Sequence, residues 1–180
     1  TTGANNTAVG QQALSANTTA DDNTAVGKNS MLTNTEGYSN TAIGIYSLRQ
    51  NTTGDNNVAV GQSALLSNTT ANANTSVGYN SMYSNTTGTA NVALGFNALE
   101  DNTTGDANTA IGYEALLQTT TSHDNTAVGY YALKNTNGVT GNTAVGKAAL
   151  ANNQADFNTA VGFGALQANT TGTGNTAVGD

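Results

Sequence analysis

The sequence predicts an all-β chain wound as a parallel β-solenoid, a β-roll of about ten 17-residue coils, and three observations predict it. First, a glycine returns at 10, 27, 44, 61, 78, 95, 112, 129 and 146, each 17 residues after the last; Gly162 comes one residue early and Gly179 restores the spacing. Second, the unit reads N-T-A-V-G-x-x-A-L-x-x-N-T-T-G-x-x, and ten full units with a partial eleventh fill 1-180 as a single repeat array. Third, each unit joins β-branched Thr and Val to turn-forming Gly and Asn, whereas helical repeats spend roughly 33 residues or more on a pair of helices. Coils stacked about 4.8 Å apart make a rod roughly 50 Å long.

Without the repeat, the composition would read as disorder. Thr, Asn, Ala and Gly supply 109 of 180 residues, Val, Ile, Leu and Phe only 29, and the net charge is −7. A disordered tract has no reason to hold Gly, Leu and Asn in register through ten copies. Four basic residues (Lys28, Arg49, Lys134, Lys147) are too few for a phosphate-neutralising surface, which excludes nucleic acid as a partner. No run of about 18 apolar residues is present, so no membrane insertion is expected. The absence of cysteine excludes disulfides and thiol chemistry.

Within a coil, T-A-V is the strand, and its side chains alternate between faces. The third position is always apolar (Val9, Val26, Ile43 through Val178) and is assigned inward together with the Thr two residues before it. The middle position then points outward: Ala8, Ala25, Ala42, Ala59, Ser76, Ala93, Ala110, Ala127, Ala144, Ala160 and Ala177. Such a uniform small column suggests a flat self-association face; otherwise alanine simply fits a crowded rung-on-rung stack. The glycine marks a corner, where either positive φ or close backbone approach is required. After it, the Leu/Met column (Leu14, Met31, Leu48 and onward) forms the second inward set, so each coil is expected to hold two or three short strands.

Two asparagine columns follow. One precedes T-A-V from Asn6 to Asn175 without exception, and the other opens N-T-T-G, with Thr119 and Thr136 as departures. Asparagine suits corners, and stacked amides can bond from rung to rung. The N-x-T sequons at Asn17, Asn51, Asn68, Asn85, Asn102 and Asn169 follow from this turn consensus.

Little in the chain points to chemistry. His123 is the single histidine, beside Asp124, with no nucleophile constellation around it. The aspartates gather in the turn before the first Asn column but skip several rungs, unlike calcium-binding nonapeptide repeats. No catalytic residue, metal site or cofactor is therefore predicted. The residue after the corner glycine is aromatic in four consecutive coils, Tyr79, Phe96, Tyr113 and Tyr130. That column is the candidate ligand-binding surface, for a cell-surface glycan; otherwise it is a cross-rung ladder that stabilises the sheet.

The tandem unit resembles the repeats of bacterial and phage tail-fibre-type proteins, and V-A-V-G (Val58 to Gly61) and V-A-L-G (Val92 to Gly95) resemble the V-A-I-G motif of trimeric autotransporter adhesin heads. This resemblance implies a left-handed parallel β-roll, a homotrimer or filament, and an extracellular, cell-surface or virion location. The leading expectation is the structural shaft of such a fibre, an uncapped segment of a longer one, spacing a distal binding tip. The alternatives are glycan or cell adhesion through the aromatic column, and ice binding. Ice binding is opposed by the assignment of the regular Thr column to the inward face.

Overall fold

The computed structural model describes residues 2–180. Eleven three-residue strands form in chain order: β1 (Thr7–Val9), β2 (Thr24–Val26), β3 (Thr41–Ile43), β4 (Val58–Val60), β5 (Thr75–Val77), β6 (Val92–Leu94), β7 (Thr109–Ile111), β8 (Thr126–Val128), β9 (Thr143–Val145), β10 (Thr159–Val161) and β11 (Thr176–Val178). They make one parallel sheet in sequence order, every residue paired with its counterpart in the next coil. The chain is therefore an all-β parallel solenoid. The 16-residue coil drops one residue from the N-T-T turn at Asn153-Gln154 and still keeps register, with Thr159 opposite Thr143.

The corner glycine is needed on both grounds. From Gly10 to Gly179 it takes φ between 124° and 142°. In Gly112 a Cβ would also lie 2.7 Å from the carbonyl carbon of Gly129 in the next coil. No L side chain satisfies either condition.

Each coil holds one strand, not the two or three expected. In x-x-A-L the second x and the Leu both turn left-handed, as in Gln12 (φ 57°) with Leu14 (φ 52°) and Glu114 (φ 51°) with Leu116 (φ 52°). This zigzag aims alternate backbone groups at the coils on either side: Leu116 N donates to Ala132 O (3.0 Å), and Glu114 N donates to Phe96 O (2.9 Å). Left-handed backbone at a Leu costs on the order of 1–2 kcal/mol. Complete burial of Met31, Leu48, Leu65, Met82, Leu99, Leu116, Leu133 and Leu150 offsets it, at roughly 1.5–3 kcal/mol each.

The two faces of the strand are the reverse of the sequence expectation. Ala25, Ala42, Ala59, Ser76, Ala93, Ala110, Ala127, Ala144 and Ala160 are 0% exposed and pack in the core against the Leu/Met column and the Ala that precedes it. Ala8 and Ala177, in the first and last strands, belong to the same inward column and have a neighbouring strand on one side alone. The apolar third position points out: Ile43 is 42% exposed, Leu94 47% and Val161 38%. The physical reason is thickness. A coil of 17 residues closes so tightly that the sheet can offer only methyl groups to the Leu side chains opposite. Ser76 fits because its hydroxyl donates to Ser81 O at 2.7 Å. An inward column accordingly cannot be the self-association face.

This orientation predicts opposite tolerances at adjacent residues. Ala110→Val should overpack the core and cost about 1–3 kcal/mol, while Ile111→Val, on the outside, should stay within about 0.5 kcal/mol. Urea unfolding of the two variants checks this, and equal losses would contradict it.

Candidate functional site

Among the described residues no pocket opens, and no group of three or more His, Asp or Glu side chains is placed to hold a metal ion. The functional surface is therefore the outside of the rod, and the asparagines decide its shape. In the first Asn column each Oδ1 accepts the backbone N–H of the Asn one coil on, from Asn6 and Asn23 (2.9 Å) to Asn158 and Asn175 (2.9 Å). Its Nδ2 turns to carbonyls of its own coil in Asn142 and Asn158, but from Asn6 to Asn125 it donates to a turn carbonyl of the following coil, as Asn40 does to Gly54 O at 2.8 Å. The second column reaches the same carbonyl from within that coil: Asn51 Nδ2 donates to Gly54 O at 2.9 Å and also to Asn34 Oδ1 at 2.7 Å. The pattern repeats at Gly37, Ala71, Gly88 and Gly105. Where Thr119 and Thr136 replace Asn, their hydroxyls bond Thr136 O and Leu133 O instead. Asn51, Asn68, Asn85 and Asn102 are fully buried, so in the folded chain these four sequons offer no accessible amide for glycosylation.

The aspartates and the histidine also serve the backbone. Asp21, Asp55, Asp106 and Asp156 each accept a backbone N–H of the preceding coil, from Ala4, Tyr38, Thr89 and Thr140. His123 occupies the same column, and its Nδ1 accepts the N–H of Asp106 at 3.0 Å, which places the ring proton on Nε2. These residues are therefore positioned as turn acceptors, spread along the rod.

The aromatic column does come together. Tyr79, Phe96, Tyr113 and Tyr130 stack in sequence at 5.2, 5.1 and 5.1 Å between centroids, tilted by 11°, 5° and 10°. Lys147 Nζ then sits 5.6 Å from the Tyr130 ring and 5.5 Å from Phe163, continuing the column by cation–π contact. The rings spend their faces on one another and present their edges to solvent. A sugar stacks on an aromatic face, so this arrangement leaves little of the column for that contact.

Beside it lies a compact charged group. Lys134 Nζ is 2.7 Å from Glu114 Oε2 and 3.8 Å from the centre of the Tyr131 ring. The Glu114 hydrogen bond raises the Lys134 pKa. Burial, and then repulsion from Asp101 and Glu114, raise the Glu100 carboxyl above its ordinary value, and burial does the same to Asp101.

The sheet contributes a further regular surface. Its outward positions are nine threonines and two valines in one column, and Val, Ile or Leu in the other. Neither column contains a charged residue. Sequence reasoning missed this face because it assigned these residues to the core.

Together the ladders and the in-register sheet define a parallel β-solenoid repeat protein. Compared with protein-family models, curated proteins and solved structures, the chain matches none. Among the described residues no helix is long and apolar enough to cross a membrane.

Two measurements follow from the geometry. A carboxyl whose folded pKa lies above its unfolded value costs stability when ionised, and that cost disappears as pH falls through the raised value. Glu100→Gln should therefore stabilise the chain at pH 7 by less than about 1 kcal/mol, with the advantage gone below about pH 4. Thermal melts across that range check it, and destabilisation at pH 7 would contradict it. Tyr113→Ala, in mid-stack, breaks the two stacked pairs with Phe96 and Tyr130 and a tilted pair with Tyr131, and should cost on the order of 1–2 kcal/mol beyond its lost burial. A double-mutant cycle with Phe96→Ala measures this coupling, and additive effects would contradict it.

Proposed function

We propose that the chain is the structural shaft of an extracellular or virion fibre, holding a distal binding tip away from its base. The observation that supports this best is that one coil is repeated by translation, each bonded to the next by the same main-chain and asparagine contacts. Such an array has its stability in nearest-neighbour interfaces, so it gains length without changing design. A rod roughly 50 Å long from 180 residues is a spacer's geometry.

Self-association belongs to the same proposal, relocated from the alanines. The exposed edges of Tyr79, Phe96, Tyr113 and Tyr130, in the column after the corner glycine, form an apolar line over four consecutive coils, with Ile45 and Phe163 beyond Gln62 and Lys147 in the same column. Lateral packing of two or three shafts would cover that line, and the resemblance to trimeric fibres favours three. Glycan adhesion through the same column is the weaker reading, because the ring faces are already paired.

Sedimentation equilibrium tests the assembly. A β-rich species at about three times 18.0 kDa is expected, with Phe96→Ser/Tyr113→Ser shifting it toward the monomer. A folded monomer at every concentration would overturn self-association.

A further inference from the structure

The corner column accounts for lateral packing, but it leaves the outward side of the sheet without a role. That side presents Thr7, Thr24, Thr41, Thr75, Thr109, Thr126, Thr143, Thr159 and Thr176 in one column, with Val58 and Val92 keeping the same side-chain outline. The second outward column adds only methyl-bearing side chains.

The second threonine of each N-T-T turn, such as Thr53, Thr87 and Thr104, lies exposed on the turn. The first spends its hydroxyl on the next coil: Thr18, Thr35, Thr52, Thr69, Thr86 and Thr103 each donate to the carbonyl of the equivalent residue one coil on, at 3.0–3.2 Å. The strand threonines do not. Among the described residues, none of their nine hydroxyls has a hydrogen-bond partner in the chain. The result is a charge-free sheet face on which free hydroxyls and methyl groups recur at a fixed rung spacing. Its regularity is set by the backbone, since the N–H entering each strand meets an Asn carbonyl at 2.8 or 2.9 Å in all ten steps from Thr7 to Thr159.

What fits such a face must supply hydrogen bonds and must itself be periodic. A dry protein partner would leave up to nine hydroxyls unpaired, and each costs about 1–3 kcal/mol when buried that way. A small ligand would need one coil, not eleven in register. Water supplies a donor and an acceptor at every site, and the rung repeat of about 4.8 Å is close to the repeat of water molecules along a crystal axis of ordinary ice. Methyl groups beside each hydroxyl hold neighbouring water in cages and fix its position. We propose that the outward Thr/Val face of the sheet binds ice, through water ordered on the threonine hydroxyls and the flanking methyls.

Ice-affinity partition and thermal hysteresis of the purified chain test this, with native mass and circular dichroism on the same samples. The wild type should enter slowly grown ice and show hysteresis. Thr109→Lys/Thr126→Lys, mid-face, should reduce both to the level of buffer. Thr87→Lys/Thr104→Lys, with the same charge on exposed turns, should leave both unchanged. Should the sheet lysines unfold the chain, Thr109→Ser/Thr126→Ser removes two methyls only and should lower hysteresis with the fold intact. A folded wild type that stays in the liquid overturns the inference and leaves the shaft reading standing. Equal loss in the turn and sheet variants also overturns it. A sheet variant that lowers native mass while the wild type ignores ice would make this face an interface between copies of the chain.

Discussion

Two asparagine amides on one carbonyl oxygen hold coil to coil from Ala20 to Gly105. At Gly54 O, Asn40 arrives from the coil before and Asn51 from the same coil, at 2.8 and 2.9 Å. Both lone pairs of that oxygen are thereby used, and Asn40 Oδ1 takes the N–H of Asn57 in addition. A thin solenoid must place main-chain turns in its interior, where an unpaired polar group is expensive. The amide, with an acceptor and two donors in one plane, is the side chain that can answer a carbonyl and an N–H at once.

Much of the rest follows from that closure. Because turns and amides occupy the interior, the space left is a narrow channel of Leu and Met faced by alanine methyls. Bulky β-branched residues are expelled to the outside of the sheet, where they shape the surface. The left-handed backbone at each Leu is the local cost of folding a long side chain back into that channel, and it is met by complete burial. No coil closes these bonds alone, so the array is stable only collectively.

The solenoid, its period and the corner positions were legible because each rests on a repeat that the backbone itself imposes. Gly112 and Asn40 announce their roles by never changing across coils. The direction of T-A-V was not legible from polarity, since a period of two distinguishes two faces without saying which is inside. A better signal lay in side-chain size. The middle column holds only Ala and Ser, whereas the third position moves among Val60, Ile43 and Leu94. A close-packed interior responds to a single added methylene, and a surface does not. The absence of a second strand was hidden for another reason: left-handed φ at Leu116 or Glu114 is paid for by tertiary packing and leaves no mark on local propensity.

Shaft and sheet face are two consequences of the same translation: identical coils make a rod, and a rod of identical coils repeats whatever it displays. The claim underneath both is that the asparagine network locks coil to coil. Native-state hydrogen exchange of the asparagine backbone N–H groups from Asn23 to Asn175 measures it most directly. The account predicts protected amides at every one, slowest in the central coils around Asn91 and Asn108, with Asn91→Ala releasing the N–H of Asn108. Amides that exchange as fast as those of the exposed turns, or an Asn91→Ala chain with unchanged protection at Asn108, would contradict it.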